Sequence, residues 1–317
     1  MPSRPTDDWD SPWKEALDLF LRQFLAFFFP AIHDGIDWSK GYVSLDKEFQ
    51  QIVRNARAGR RLADKLFKVW LKTGKEAWLL IHIEIQGQWE KNFARRMFTY
   101  CSRIFDRYQR RCVSVAVLCD DNPKWKPDYF GYNMWGFELG IRFPVVKIID
   151  YRGREDTLEK DRNPFAALVL AQLKAIETKH LPAERQTWKI RLVKGLYDRG
   201  LEKREIQQLF RLIDWIMTLP DEWEQGFREE IDRFEEELKM PYVTSVERLA
   251  KQEGLQEGRQ KGIYDGLAVA LEAKFSTAGK KFMKEIRDLK NEEQLLELTR
   301  MVHKASTIDE LRAMIRR

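Results

Sequence analysis

The chain has 317 residues, 44% hydrophobic and 12% aromatic, a composition that can bury a large core and excludes global disorder. With 56 Lys+Arg against 50 Asp+Glu it carries a net charge of +6 and a pI near 9.0, which favours polyanionic partners. Its three cysteines, Cys101, Cys112 and Cys119, cannot pair completely and show no zinc or iron–sulfur spacing, so a reducing, cytoplasmic setting is expected.

Ser11 and Pro12 open a helix that runs over 12–29 and stops at Pro30. Its apolar run is interrupted by Asp18 and Arg22 and is shorter than the ~20 residues a membrane span needs, and the acidic opening does not suit a signal peptide. A core helix and no membrane association are therefore expected. YVSLDKEFQQIV at 42–53 begins as a short strand and drifts into an ambiguous pattern. The clearest element is 61–86: two apolar, β-rich runs around the turn Lys72–Lys75 predict an antiparallel hairpin. In its second strand Ile81, Ile83 and Ile85 alternate with His82, Glu84 and Gln86, so the polar set shares one face.

Residues 90–111 predict an amphipathic helix with Phe93, Met97, Tyr100, Ile104 and Tyr108 on one arc. CVSVAVLCDD at 112–121 predicts a buried strand, and further strands are expected around 134–150, including FPVVKIIDY. Helical periodicity takes over after about 160. Gly254, Gly258, Gly262 and Gly266 share a helical face, a spacing that permits close backbone approach. The expected organisation is an α/β domain over 1–155 and a helical region over 156–317, with the glycine-spaced segment at about 247–270.

Hydrolysis of a phosphodiester with a hard cation needs carboxylates held rigidly around the ion, with open positions for water and phosphate. The hairpin offers a D-x19-E-x-Q arrangement: Asp64 and Glu84 as ligands, the Ile85 carbonyl as a third, and Gln86 to orient a water or a phosphate oxygen. Spacing alone is common. A carboxylate in an apolar strand is not, because burying it is costly unless it is paired or metal-bound. His82 faces the same side, though ordinary strand packing explains it as well.

The run RRLADKLFKVWLKTGKEAWLLIHIEIQGQ, with DSPWKEAL at 10–17, LDKEF at 45–49 and FARRMFTYCSRIFDRY at 93–108, resembles the recombination-promoting nuclease and putative transposase family, a branch of the PD-(D/E)XK superfamily. The resemblance covers about residues 10–150. It implies a restriction-endonuclease-like α/β core, a mixed sheet flanked by helices, and DNA cleavage dependent on Mg2+, with Mn2+ as substitute. It carries the catalytic roles to Asp64, Glu84 and Gln86, and names Glu15 on the first helix as a further acidic group. Gln86 stands where many superfamily members have Lys, and an amide cannot offset developing phosphorane charge as an ammonium can. Slow activity follows, with Lys68, on the Asp64 side of an ideal strand, as a stand-in cation.

The helix at 90–111 has a net charge of +5, and Arg96, Arg103, Arg107 and Arg110 lie on one flank, suited to phosphate contacts. The expected partners are DNA and, since cutting two strands takes two sites, a second copy in a homodimer; no organic cofactor is expected. The competing reading is an inactive DNA-binding or oligomerisation module on the same fold. Trp125, Tyr129, Phe130, Tyr132 and Trp135 form an aromatic patch suited to base stacking, to a core or to a dimer contact.

Overall fold

The computed structural model describes residues 10–47, 49, 63–84, 92–286 and 292–315. The chain divides into two compact units, 1–243 and 244–317.

The first unit is built on a mixed five-stranded sheet of order β1-β2-β3-β4-β7. Its strands are β1 (Tyr42–Ser44), β2 (Ala63–Trp70), β3 (Glu76–Glu84), β4 (Cys112–Leu118) and β7 (Val145–Lys147). β1, β2 and β3 pair antiparallel, whereas β3, β4 and β7 pair parallel. Parallel strands need a crossover. Helix α3 (Phe93–Tyr108) makes it between β3 and β4, and a separate two-stranded hairpin, β5 (Tyr129–Met134) with β6 (Phe137–Arg142), fills the connection from β4 to β7.

Each sheet face is covered by helix. One face, with Phe67, Val69, Leu79, Val115 and Val117, packs against α1 (Asp10–Phe28), whose Trp13, Phe24 and Phe28 meet Phe165 at ring separations of 5.1–6.0 Å. The short α2 (Pro30–Gly35) follows α1. Phe165 belongs to α5 (Pro164–Glu177), which is buried along its length from Pro164 to Ala175. Asn163 caps α5 by accepting from the Phe165 amide at 2.9 Å and donates to the Gln23 carbonyl at 2.9 Å, tying α5 to α1. Helices α4 (Glu155–Lys160), α6 (Pro182–Asp198), α7 (Lys203–Ile216) and α8 (Asp221–Leu238) complete this layer within the same core. The other face carries α3: Tyr100 and Ile104 pack with Leu66 and Trp78, and Phe93 and Met97 with Ala116, Leu118, Trp125 and Phe143. Strand β4 is thus buried from Ser114 to Leu118, as a central parallel strand covered on both sides must be.

The expected α/β layout is present, with the hairpin described over 63–84, and three features differ. The helices after 155 do not stand apart, because α5 to α7 cover the sheet and share its core. Ile148–Tyr151 is a 3-10 turn rather than strand, since β7 stops at Lys147. Helix α3 ends at Tyr108 in a left-handed Gln109 (φ 51°), so Arg110 lies beyond the helix and off its flank.

The second unit is helical, with α9 (Val243–Glu285), α10 (Glu292–Val302) and α11 (Ile308–Ile315) around Leu267, Leu271, Phe282, Leu295, Leu298 and Leu311. α9 bends at Ser276 (φ 49°, ψ −122°), and a Cβ on Gly279 would lie 2.2 Å from the Leu271 carbonyl oxygen. Close backbone approach thus occurs at Gly279. At Gly262 and Gly266 a Cβ would meet open space, so the four-residue spacing does not mark a packed face at these two positions. Among the described residues no helix is long and apolar enough to cross a membrane.

Candidate active site

The β2–β3 hairpin closes through a tight turn in which Leu71 donates to the Lys75 carbonyl at 2.7 Å and Gly74 adopts φ 83°. A left-handed position of this kind suits glycine, which has no Cβ to clash. The turn fixes the register. Asp64 is the Cα partner of His82, and Glu84 lies two positions further along β3. Positions related in this way are diagonal neighbours, about 7–8 Å apart in a regular sheet. For Asp64, His82 and Glu84 the structure describes the backbone.

The register continues across the parallel strands in two transverse rows. One is Asp64, His82, Ala116 and Val145; the other is Glu84, Leu118 and Lys147. Ala116, Leu118 and Val145 pack under α3, so strand alternation assigns both rows to the α3 side of the sheet. The row of Glu84, Leu118 and Lys147 lies at the C-terminal ends of β3, β4 and β7, the end of a parallel sheet from which loops emerge to form sites, and the Asp64 row lies two residues before it.

The other expected residues are distributed less closely. Ile85 and Gln86 lie outside the described residues. Glu15 sits on α1, against the opposite sheet face, where its carboxylate is ion-paired with Arg211 of α7. Lys68 is four residues, about 13 Å of strand, from Asp64, and its ammonium lies 5.0 Å from the centre of the Trp70 ring, directed along β2 away from Asp64. On α3, the Arg96 guanidinium lies over the Phe93 ring at 5.5 Å and that of Arg107 over Tyr108 at 5.4 Å; Arg103 is half-buried beside them. Arg96, Arg103 and Arg107 thus remain on one helix flank, without Arg110. No cluster of three or more His, Cys, Asp or Glu able to hold a metal occurs among the described residues, a set that leaves out the side chains of Asp64 and Glu84.

One pair at this end of the sheet goes unnoticed in the sequence. Lys147 and Asp120, at the ends of β7 and β4, form a fully buried ion pair of 2.5 Å, and Lys147 also donates to the Trp125 carbonyl at 3.0 Å. Its ammonium lies 5.5 Å from the centre of the Trp125 ring. Asp120 accepts in turn from the Asn122 amide at 2.9 Å, which shapes the loop leaving β4. The available signal is a lone lysine inside the β-branched run VVKII and the aspartates that close the apolar run VAVLCDD. Trp125, one of the aromatic residues for which a core role is among the expectations, is buried against Phe93 at 5.5 Å.

A model of the family described as "Putative transposase, YhgA-like" matches residues 52–115, which span β2, β3, α3 and the start of β4. No curated protein and no solved structure matches the chain.

Proposed function

We propose that the chain is a metal-dependent DNA endonuclease centred on Asp64 and Glu84, a reading supported by the match of residues 52–115 to the YhgA-like putative transposase model. The observation that supports this most is the β2–β3 register, which sets these two positions as diagonal neighbours on the α3 side of the sheet. Carboxylates on rigid strands at that spacing fit the all-oxygen ligand set of magnesium, with the Ile85 carbonyl as a third donor. Bound there, magnesium or manganese would supply an activated water and offset charge on the phosphate.

The chain's own groups have separate roles in this reading. Asp64 and Glu84 hold the ion. The Gln86 amide, two residues past Glu84, orients the attacking water or a phosphate oxygen. Arg96, Arg103 and Arg107 on α3 contact backbone phosphates of the DNA, which positions the duplex without reading its sequence. An amide at position 86 offers no charge to the developing phosphorane, so turnover is slow. The same residue favours a second reading, in which the fold binds DNA without cutting it.

Plasmid incubated with the full chain and Mg2+ or Mn2+ separates the two. The endonuclease reading expects nicking that stops with chelator and in Asp64→Ala and Glu84→Ala. Equal cleavage by both variants and the unaltered chain refutes the site. Salt-sensitive binding with no nicks in either metal supports the binding module.

A further inference from the structure

The β5–β6 hairpin has two unlike faces. Register places Phe130 opposite Ile141, Tyr132 opposite Leu139 and Met134 opposite Phe137, so every position on one face is apolar or aromatic. The other face carries Tyr129 opposite Arg142, Gly131 opposite Gly140 and Asn133 opposite Glu138. On that face the Tyr129 ring lies directly over both glycines, and Arg142 lies 5.1 Å from its centre and pairs with Asp128 at 2.8 Å.

The apolar face is anchored only at its root. Phe130 packs on Phe98 of α3 at 5.2 Å, and Ile141 packs on the Phe93 cluster. Beyond that point Tyr132, Met134 and Phe137 are 49–57% exposed, and Trp135 at the tip is 95% exposed. Among the described residues neither strand pairs with any other, so both edges are also open.

The turn makes the tip unusual. Trp135 (φ 55°) and Gly136 (φ 83°) form a two-residue loop with both residues left-handed, the geometry that favours Asn-Gly. A bulky residue at positive φ is an outlier. Here it holds an indole in water where an asparagine would fit the backbone better, and retained strain of this kind marks a functional contact.

We infer that this apolar face is the surface on which two copies of the chain associate. Three observations favour a second copy over nucleic acid. The face carries no cation, whereas phosphate contacts need Lys or Arg, and the hairpin's own Arg142 is paired on the opposite side. Its Tyr, Trp, Phe and Met are the residues enriched in protein interfaces, where Lys and Glu are depleted. Four protruding side chains expose about 500 Å². Doubled by two-fold symmetry, this gives about 1,000 Å², the lower bound of a specific interface. The association stands independently of the nuclease reading. If both hold, the dimer supplies one site per DNA strand.

Sedimentation equilibrium of the full chain at micromolar concentrations tests the proposal. The chain is expected as a dimer. Trp135→Asn, which relieves the turn, combined with Phe137→Ser raises the dimer dissociation constant by about 100-fold or more. Asn133→Arg, on the opposite face, leaves it unchanged, as does Asp64→Ala. Circular dichroism confirms that the variants fold. Should the double variant fail to fold, the exposed single change Met134→Glu serves in its place. A monomeric unaltered chain, or a dimer indifferent to these substitutions, overturns the proposal. Loss of DNA affinity without any change in association overturns it in favour of a nucleic-acid contact.

Discussion

Replacing Lys147 by methionine removes one ion from a pair that has no access to water. The pair is 0% and 1% exposed, with Nζ 2.5 Å from Asp120 and a second bond to the Trp125 carbonyl. Methionine keeps most of the volume, so the loss is electrostatic: Asp120 retains its buried position with the Asn122 amide as its remaining partner among the described residues. Breaking a buried pair in this way costs about 3–5 kcal/mol. For a unit of this size each kcal/mol lowers Tm by roughly 2–4 °C, so Lys147→Met should melt about 6–20 °C earlier. Urea melts of Lys147→Met, Asp120→Leu and the double variant complete a cycle. The double variant should recover most of the loss, because no charge is left stranded in the core. A single-variant cost under about 1 kcal/mol would refute the reasoning, since it would mean that Asp120 reaches water once Lys147 is gone.

The remaining predictions concern the α3 side of the sheet and the hairpin. A hydrogen bond from the Cys112 side chain, helped by Ser114 and opposed by burial, holds the Cys101 thiol down to about 7 from 9.0. Its contribution to stability is therefore full above pH 9.0 and is lost as pH falls through about 7. Alkylation of the Cys101 peptide, followed by mass spectrometry, should rise with a midpoint near pH 7, and Cys112→Ala should move that midpoint up. Gly131→Ala places a Cβ 2.7 Å from the Leu139 carbonyl and against the Tyr129 ring, so the hairpin should lose about 1–3 kcal/mol and become the first site of limited proteolysis; unchanged protection would contradict the packing described. Magnesium-dependent nicking abolished in Asp64→Ala and Glu84→Ala, and dimerisation weakened in Trp135→Asn/Phe137→Ser, complete the set.

Much of the sheet is legible because local and tertiary preferences agree. The runs flanking Lys72–Lys75 are apolar and β-branched, and Gly74 takes the left-handed position the turn requires. Of the expected α3 arc, Phe93, Met97, Tyr100 and Ile104 are fully buried, as the spacing predicts, and Tyr108 at the helix end is half-buried. The end of that helix is not legible, because Gln109 turns left-handed without the glycine or proline that usually signals a stop. The placement of the helices after 155 is obscured by the switch from strand to helix periodicity, which looks like a boundary. PFAALVLAQLKAIE holds the missing signal: a helix apolar all round is buried between layers, and α5 is. At the candidate site the register of Asp64 and Glu84 follows from the hairpin, whereas Glu15 depended on a tertiary partner, Arg211, 196 residues away.

That last separation bears on how the protein is made. The first helix leaves the ribosome as FLRQFLAFFF, but the groups that hold it, Asn163, Gln172 and Arg211, emerge 140 to 196 residues later. At roughly 5–20 residues per second this is a delay of about 10–40 s. Throughout that interval a phenylalanine-rich segment has at most the sheet face against it and lacks its helical cover. Nascent chains should accordingly recruit holdase chaperones until α5 and α7 have emerged, and then release them.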